Sequence, residues 1–298
     1  MSALFYRFST AVSRWTGAWF FRFSAWFVAT GYFLFFPFRV AESVRFYRAL
    51  YPDRGRLYAL GCAWRQYHNF TGVFLDRFLL QDTEDIGSIS YSSHGRWNLD
   101  NAIDGKTGGV VLMSHVGNWE MAAHILKKKR PDMPLLLYMG IKHKERIERM
   151  QKESLAQSGI RIIAVGEEAS PFDIIEGIQW LRSGGLVSIT GDVVWHEDQR
   201  TVPAEFLGHR IRLPETPHLL ALMSGAPLFL LFTLRNHEGQ YACSISDPIY
   251  VRAENRSERG AAIQESVQKY ASVLEEKVRE HPLEWYHFRR FLGEKMKD

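Results

Sequence analysis

Four short apolar runs, Val110–Met113, Leu135–Tyr138, Ile160–Val165 and Leu186–Thr190, are separated by stretches of helical periodicity at 119–129, 144–158 and 171–183. Runs this short, flanked by turn residues, read as buried strands, and the segments between them are long enough for crossover helices. Strand–helix alternation of this kind predicts an α/β fold: a mixed, mainly parallel sheet flanked by helices. An irregular stretch at 192–212 comes next, then a helix at 215–224, strands Leu228–Leu234 and Tyr241–Ile245, and a long helix near 256–280. In that helix Ile263, Val267, Tyr270, Leu274 and Val278 recur at spacings of three and four, which marks a packing face. Upstream, residues 39–50 and 58–80 read as helices, and 81–109 as short strands and turns.

The first strand runs into Ser114-His115-Val116-Gly117-Asn118-Trp119-Glu120. Inside one helix, five steps of about 100° would put His115 and Glu120 on different faces. They meet only if His115 sits on a turn and Glu120 in the first turn of the next helix. Gly117 allows a sharp bend, Asn118 is a good N-cap, and the helix from Trp119 stops before Pro131. An imidazole steered by a carboxylate takes a proton from a hydroxyl attacking a carbonyl, an effect of about 10²–10⁴ in rate. No protein nucleophile is needed when the hydroxyl belongs to a substrate. The plainer alternative is a polar turn residue beside a helix-start charge.

Residues 15–38 hold twelve aromatics in twenty-four positions, with Arg22 the one charge. The uncharged run from Phe23 to Phe38 is roughly 24 Å long as a helix, against a hydrocarbon core of about 30 Å. The density of Trp and Phe suits the bilayer interface, so an N-terminal membrane-associated helix is expected, embedded or interfacial. The competing reading is a buried helix of a soluble core. Residues 1–60 carry eight arginines and two acids, a charge of +6, which leaves −2 of the total +4 for the rest. A basic N-terminus beside apolar sequence suits an anionic membrane surface, and the lack of a recurring basic stripe argues against nucleic acid. Without a linker after Arg56, the expected division is an anchor with its basic flank at 1–56 and a catalytic domain at 57–298. Cys62 and Cys243 lie too far apart in sequence for a redox pair and read as small buried apolar residues.

Other clusters carry further readings. Asp192, His196, Glu197 and Asp198 resemble a divalent-cation set, which opens the alternative of a metal-dependent lipid hydrolase using Asp192, His196 and Asp198. Asp192 alone suits the orientation of a cation or a substrate hydroxyl. Lys127–Arg130 reads as a solvated helix end or a docking patch for an acidic carrier protein. Lys142 and Arg146, with Arg210 further on, are candidates for binding donor or lipid phosphate. Asp104-Gly105-Lys106-Thr107 imitates a phosphate loop, but Asp100 stands where its first glycine belongs and a strand comes after it. No Gly-x-Ser-x-Gly elbow is present. A non-catalytic membrane scaffold is the third reading.

The run His115-Val116-Gly117-Asn118-Trp119-Glu120 resembles the His-x4-Asp/Glu block of glycerolipid acyltransferases, in the form found in the lipid A lauroyl/myristoyl acyltransferase family of bacteria. Gly191-Asp192, Val202–Gly208, Leu219–Pro227 and His281–Arg290 resemble further blocks of that family in the same order. Val193 stands where the family usually has Gln, and Met139 near a frequent Arg. The resemblance implies an acyltransferase at the cytoplasmic side of the bacterial inner membrane, with no cofactor and no metal. Its donor would be acyl carrier protein or acyl-coenzyme A, and its acceptor a hydroxyl of a lipid A-like or related lipid. It implies His115 and Glu120 as catalytic residues, with Gly117, Asn118, Lys142, Arg146, Asp192, Phe206, Gly208 and Arg210 near the substrates.

Overall fold

The computed structural model describes residues 12, 18–82, 95–140, 155–156, 159–165, 171–235 and 241–296. These fall into two compact units. One comprises residues 1–87, 207–209 and 276–298, the other residues 88–206 and 210–275.

The second unit is built on a six-stranded sheet. Its strands are β1 (Gly109–Gly117), β2 (Leu135–Gly140), β3 (Arg161–Val165), β4 (Leu186–Thr190), β7 (Leu228–Arg235) and β8 (Tyr241–Ile245), in the order β3-β2-β4-β1-β7-β8. All neighbours are parallel except β7 and β8. Four strands are apolar almost throughout because helices cover both faces of a parallel sheet. The edge strands β3 and β8 show interrupted burial instead. The α/β expectation holds.

Helices α4 (Arg96–Asp104), α5 (Trp119–Lys129), α6 (Pro171–Arg182), α7 (Thr216–Ser224) and most of α8 (Arg259–Glu280) flank the sheet. Ile263, Val267, Tyr270, Leu274 and Val278 on α8 are all buried, as their spacing predicts. Two expectations need correction. Residues 96–104 form a helix, not short strands: Leu99 and Ala102 supply a buried stripe too narrow to stand out among Asn and Asp. The stretch 192–212 is not wholly irregular, since β5 (Thr201–Phe206) and β6 (His209–Pro214) form a two-stranded sheet. Leu207 and Gly208 both take positive φ, 51° and 68°, the backbone of a tight primed turn. The expected helix at 144–158 lies largely outside the described residues.

The first unit contains α1 (Ala18–Phe35), α2 (Pro37–Leu50) and α3 (Arg56–Asp82). Pro37 cannot continue the hydrogen-bond ladder of α1 and starts α2 instead, bending the pair by 91°. Phe21, Ala25 and Ala29, four apart, are buried, with Trp26 and Phe33 stacked edge-on to Trp64 of α3. Trp19, Phe23, Phe27, Leu34 and Phe35 of α1 are exposed. The helix thus packs by one face and displays aromatics on the other. Among the described residues no single helix is long and apolar enough to cross a membrane, while the bent pair passes by length and composition. The closing segment is stapled to this unit. Trp285 is buried beside Phe46, Gln66 donates to its carbonyl, Tyr47 donates to the Pro282 carbonyl at 2.8 Å, and Arg45 to that of Gly293 at 2.6 Å.

Candidate active site

β1 and β4 are parallel neighbours in register, Met113 opposite Thr190, so the chain leaves both strands at the same end of the sheet. In open α/β sheets that carboxyl end is where ligands bind. Gly191 donates its N–H to the Met113 carbonyl at 2.8 Å, prolonging the ladder by one residue, and Asp192 comes next.

His115 lies within β1 rather than on a turn after it. The pairing of β1 with β7 slips between Met113 and Gly117, a local irregularity of the kind that re-aims side chains next to active sites. The sharp bend falls at Gly117, whose φ is +73° and where any Cβ would run into the Thr233 carbonyl. Asn118 caps α5, accepting from the Met121 N–H at 3.3 Å while its amide donates to the Tyr241 hydroxyl at 3.2 Å. Glu120 stands in the first turn of α5, buried, where the helix dipole favours its negative charge.

Asp192 is a partner of the His115 ring. One carboxylate oxygen accepts the His115 backbone N–H at 2.8 Å, and the other lies 2.8 Å from Nδ1. An ionised carboxylate only accepts, so Nδ1 carries the proton and Nε2 is the basic nitrogen. The Asp192 side chain is fully buried, whereas that of His115 is 25% exposed. The acid is therefore shielded and the base reachable.

Tyr270 of α8 is buried at the end of β1, donating to the Met113 carbonyl at 3.4 Å. Burial, and then the nearby negative charge of Asp192, push its phenol well above the usual range, so it stays a proton donor. Its ring lies where a Cβ on Gly191 would come within 2.7 Å. Glycine before Asp192 is thus a steric requirement.

The pairing of His115 with Asp192 spans 77 residues. Asp192 was legible as a polar residue at a strand end, but its partner depends on which strands are neighbours. The hydrolase set does not assemble: Asp192 is engaged by His115, Asp198 is exposed, and no group of three metal-ligand side chains occurs among the described residues. Phe206 is fully buried at the end of β5, Gly208 forms the hairpin turn, and Arg210 is exposed on β6. Lys142 and Arg146 lie outside the described residues. In the basic cluster, Arg130 is paired with Asp104, and Lys127 donates to the Met133 carbonyl at 3.1 Å. His218 sits in the core at 2.8 Å from the Ser266 hydroxyl.

The chain is similar to phosphatidylinositol mannoside acyltransferase of Mycobacterium tuberculosis, strains H37Rv and CDC 1551, at 24% identity over 240 residues in each case. The alignment covers 77% of this chain and 66% of those relatives, so the chain spans slightly less than two thirds of their length. Residues 84–292, which include β1, β4 and the whole candidate site, match the family model described as bacterial lipid A biosynthesis acyltransferase. With most of its length matched, the chain belongs to the bacterial lipid A biosynthesis acyltransferase family.

Proposed function

We propose that the chain is a membrane-associated acyltransferase that moves a fatty acyl group from a thioester donor to a hydroxyl of a lipid. The observation that carries this reading is a partly exposed imidazole at the carboxyl end of the central sheet, held through Nδ1 by a buried carboxylate. Nε2 of His115 takes the proton of the acceptor hydroxyl as its oxygen attacks the thioester carbonyl. The tetrahedral intermediate collapses, the carbon–sulfur bond breaks, and the thiolate leaves with the proton returned by the imidazolium. Asp192 fixes the ring and stabilises its charged form. Glu120, the second acid beside the motif histidine, acts from the first turn of α5 as an orienting carboxylate of the same centre. No protein nucleophile is involved.

The donor is a thioester on acyl carrier protein or coenzyme A. The acceptor is a lipid A-like glycolipid or a related lipid, a class that the name of the mycobacterial relatives extends to mannosides. Residues 1–56 hold the chain at the inner membrane through the exposed aromatic face of α1, and the remainder works on the cytoplasmic side. Substrate binding is assigned to Gly117, Asn118, Phe206, Gly208 and Arg210, and to Lys142 and Arg146.

The test is acyl transfer by purified protein from acyl carrier protein and coenzyme A thioesters, read by mass spectrometry of the lipid product. His115→Ala is expected to lower turnover by about 10²–10⁴ with folding and membrane attachment unchanged. Turnover at the wild-type rate would remove the mechanism.

A further inference from the structure

The first unit contains a groove of about 1340 Å³ walled by α2, the start of α3, Leu207, His209 and residues near the C-terminus. That exceeds the roughly 300–1,000 Å³ of a usual small-molecule pocket. Its lining divides into two chemistries. Val40, Val44 and Leu50, all buried, give an apolar floor that Leu57 and Leu60 extend to the surface, and Arg45, Arg48, Arg56, Arg279 and Lys295 give a cationic rim. Among the described residues no carboxylate lines it. Arg45 is already tied to the Gly293 carbonyl and lies 3.9 Å from the Glu42 carboxylate, whereas Arg48 and Arg56 are exposed at the rim.

Five cations around a concave surface, with no acid among the described lining residues, create a positive potential that favours an anion, and guanidinium forks match phosphate oxygens. A bare phosphate would leave the apolar floor wet and most of the volume empty. An anion carrying a hydrocarbon chain satisfies both parts. The surroundings point to where such a ligand comes from. Leu57, itself in the lining, is 83% exposed, and Phe35 and Phe38, on either side of the lining residue Pro37 in sequence, are 80% and 88% exposed. Large apolar side chains protruding beside an open groove suit a hydrocarbon phase.

We propose that this groove binds one anionic phospholipid taken from the bilayer, its phosphate at Arg48 and Arg56 and an acyl chain along the floor from Val40 to Leu60. No lining residue belongs to the catalytic assignment, and the inference rests only on the membrane attachment proposed above. It makes the lipid a ligand of the anchor unit, neither donor nor acceptor, and makes membrane residence depend on headgroup charge.

Binding of monoacyl phosphatidylglycerol below its micelle concentration to the full-length protein, counted by native mass spectrometry and titration, tests it. One molecule per chain is expected, bound at least about tenfold tighter than monoacyl phosphatidylcholine. The double variant Arg48→Glu/Arg56→Glu is expected to lose about tenfold or more, because each basic side chain near an anionic surface contributes roughly fivefold. Ala49→Trp fills the groove without changing charge and is expected to lose binding as well, with Ala41→Trp on the same helix as a second filler. Unchanged melting temperatures confirm that the variants fold. His115→Ala is expected to bind normally, so loss of transfer and loss of lipid binding are separable. Equal binding of phosphatidylcholine, binding untouched by the two tryptophans, or displacement by equimolar inorganic phosphate would each overturn the proposal. Groove-dependent binding of an acidic carrier protein with no lipid binding would overturn it too.

Discussion

At the scale of single residues, the site depends on one carboxylate whose two oxygens both accept. Both Asp192 oxygens face N–H groups of His115, one on the backbone and one on the ring. An asparagine there offers one acceptor and one donor, so one of those N–H groups meets an N–H. The ring escapes by moving its proton to Nε2, which removes the lone pair that the proposed base would use. Asp192→Asn is therefore expected to cost about 10³–10⁴ in kcat. Nitrogen-15 spectra should show His115 changing from the Nδ1–H to the Nε2–H tautomer, and an unchanged tautomer would contradict the assignment. Gly117 is the second residue on which the site turns. Its positive φ and its approach to the Thr233 carbonyl both exclude a Cβ, so Gly117→Ala should destabilise the fold by about 1–3 kcal/mol in denaturant unfolding. A stability within about 0.5 kcal/mol of the wild type, a range usual for unconstrained surface sites, would show that the bend relaxes freely.

At the scale of elements, α7 and α8 are joined in the core by His218 and Ser266, 2.8 Å apart. Burial pulls the His218 imidazole down from 6.5 to about 3, so in the fold it stays neutral through the physiological range. In the unfolded chain the same side chain takes up a proton below its ordinary value. This group therefore costs nothing above about pH 6.5. As pH falls towards 3 it costs up to about 1.4 kcal/mol of stability per pH unit. His218→Gln removes that slope. The stability gap between wild type and variant is expected to narrow by about 2 kcal/mol between pH 7 and pH 5 in urea titrations. A gap constant with pH would mean that the ring is solvated or already charged in the fold. The bent pair α1–α2 shows a different use of sequence. Small residues at one face of α1 allow close packing on α3, and the aromatics that a soluble core would have absorbed are left outside.

At the scale of the whole molecule, what periodicity encodes was readable and what topology decides was not. The apolar runs at 110, 135, 186 and 228 announced buried parallel strands, because residues covered on both faces leave no alternation to misread. The Asn118 cap and the helix from Trp119 were equally legible, since capping is local chemistry. The hairpin at 201–214 was not, although Ala204, Phe206, Ile211 and Leu213 alternate with polar residues, because Pro203 and the charges around it masked a period of two. The contact of His115 with Asp192 was the least legible feature. The sequence draws the eye to the acid five residues on, while the acid on Nδ1 comes from the end of β4. Only the strand order, with β4 beside β1, brings them together.

A double-mutant cycle on His115 and Asp192, read as kcat for acyl transfer to lipid, tests that pairing most directly. If the two act as one base, the double variant His115→Ala/Asp192→Asn is no slower than His115→Ala alone, since the carboxylate has nothing left to steer. Losses that multiply, each variant subtracting its full effect from the other, would contradict the account.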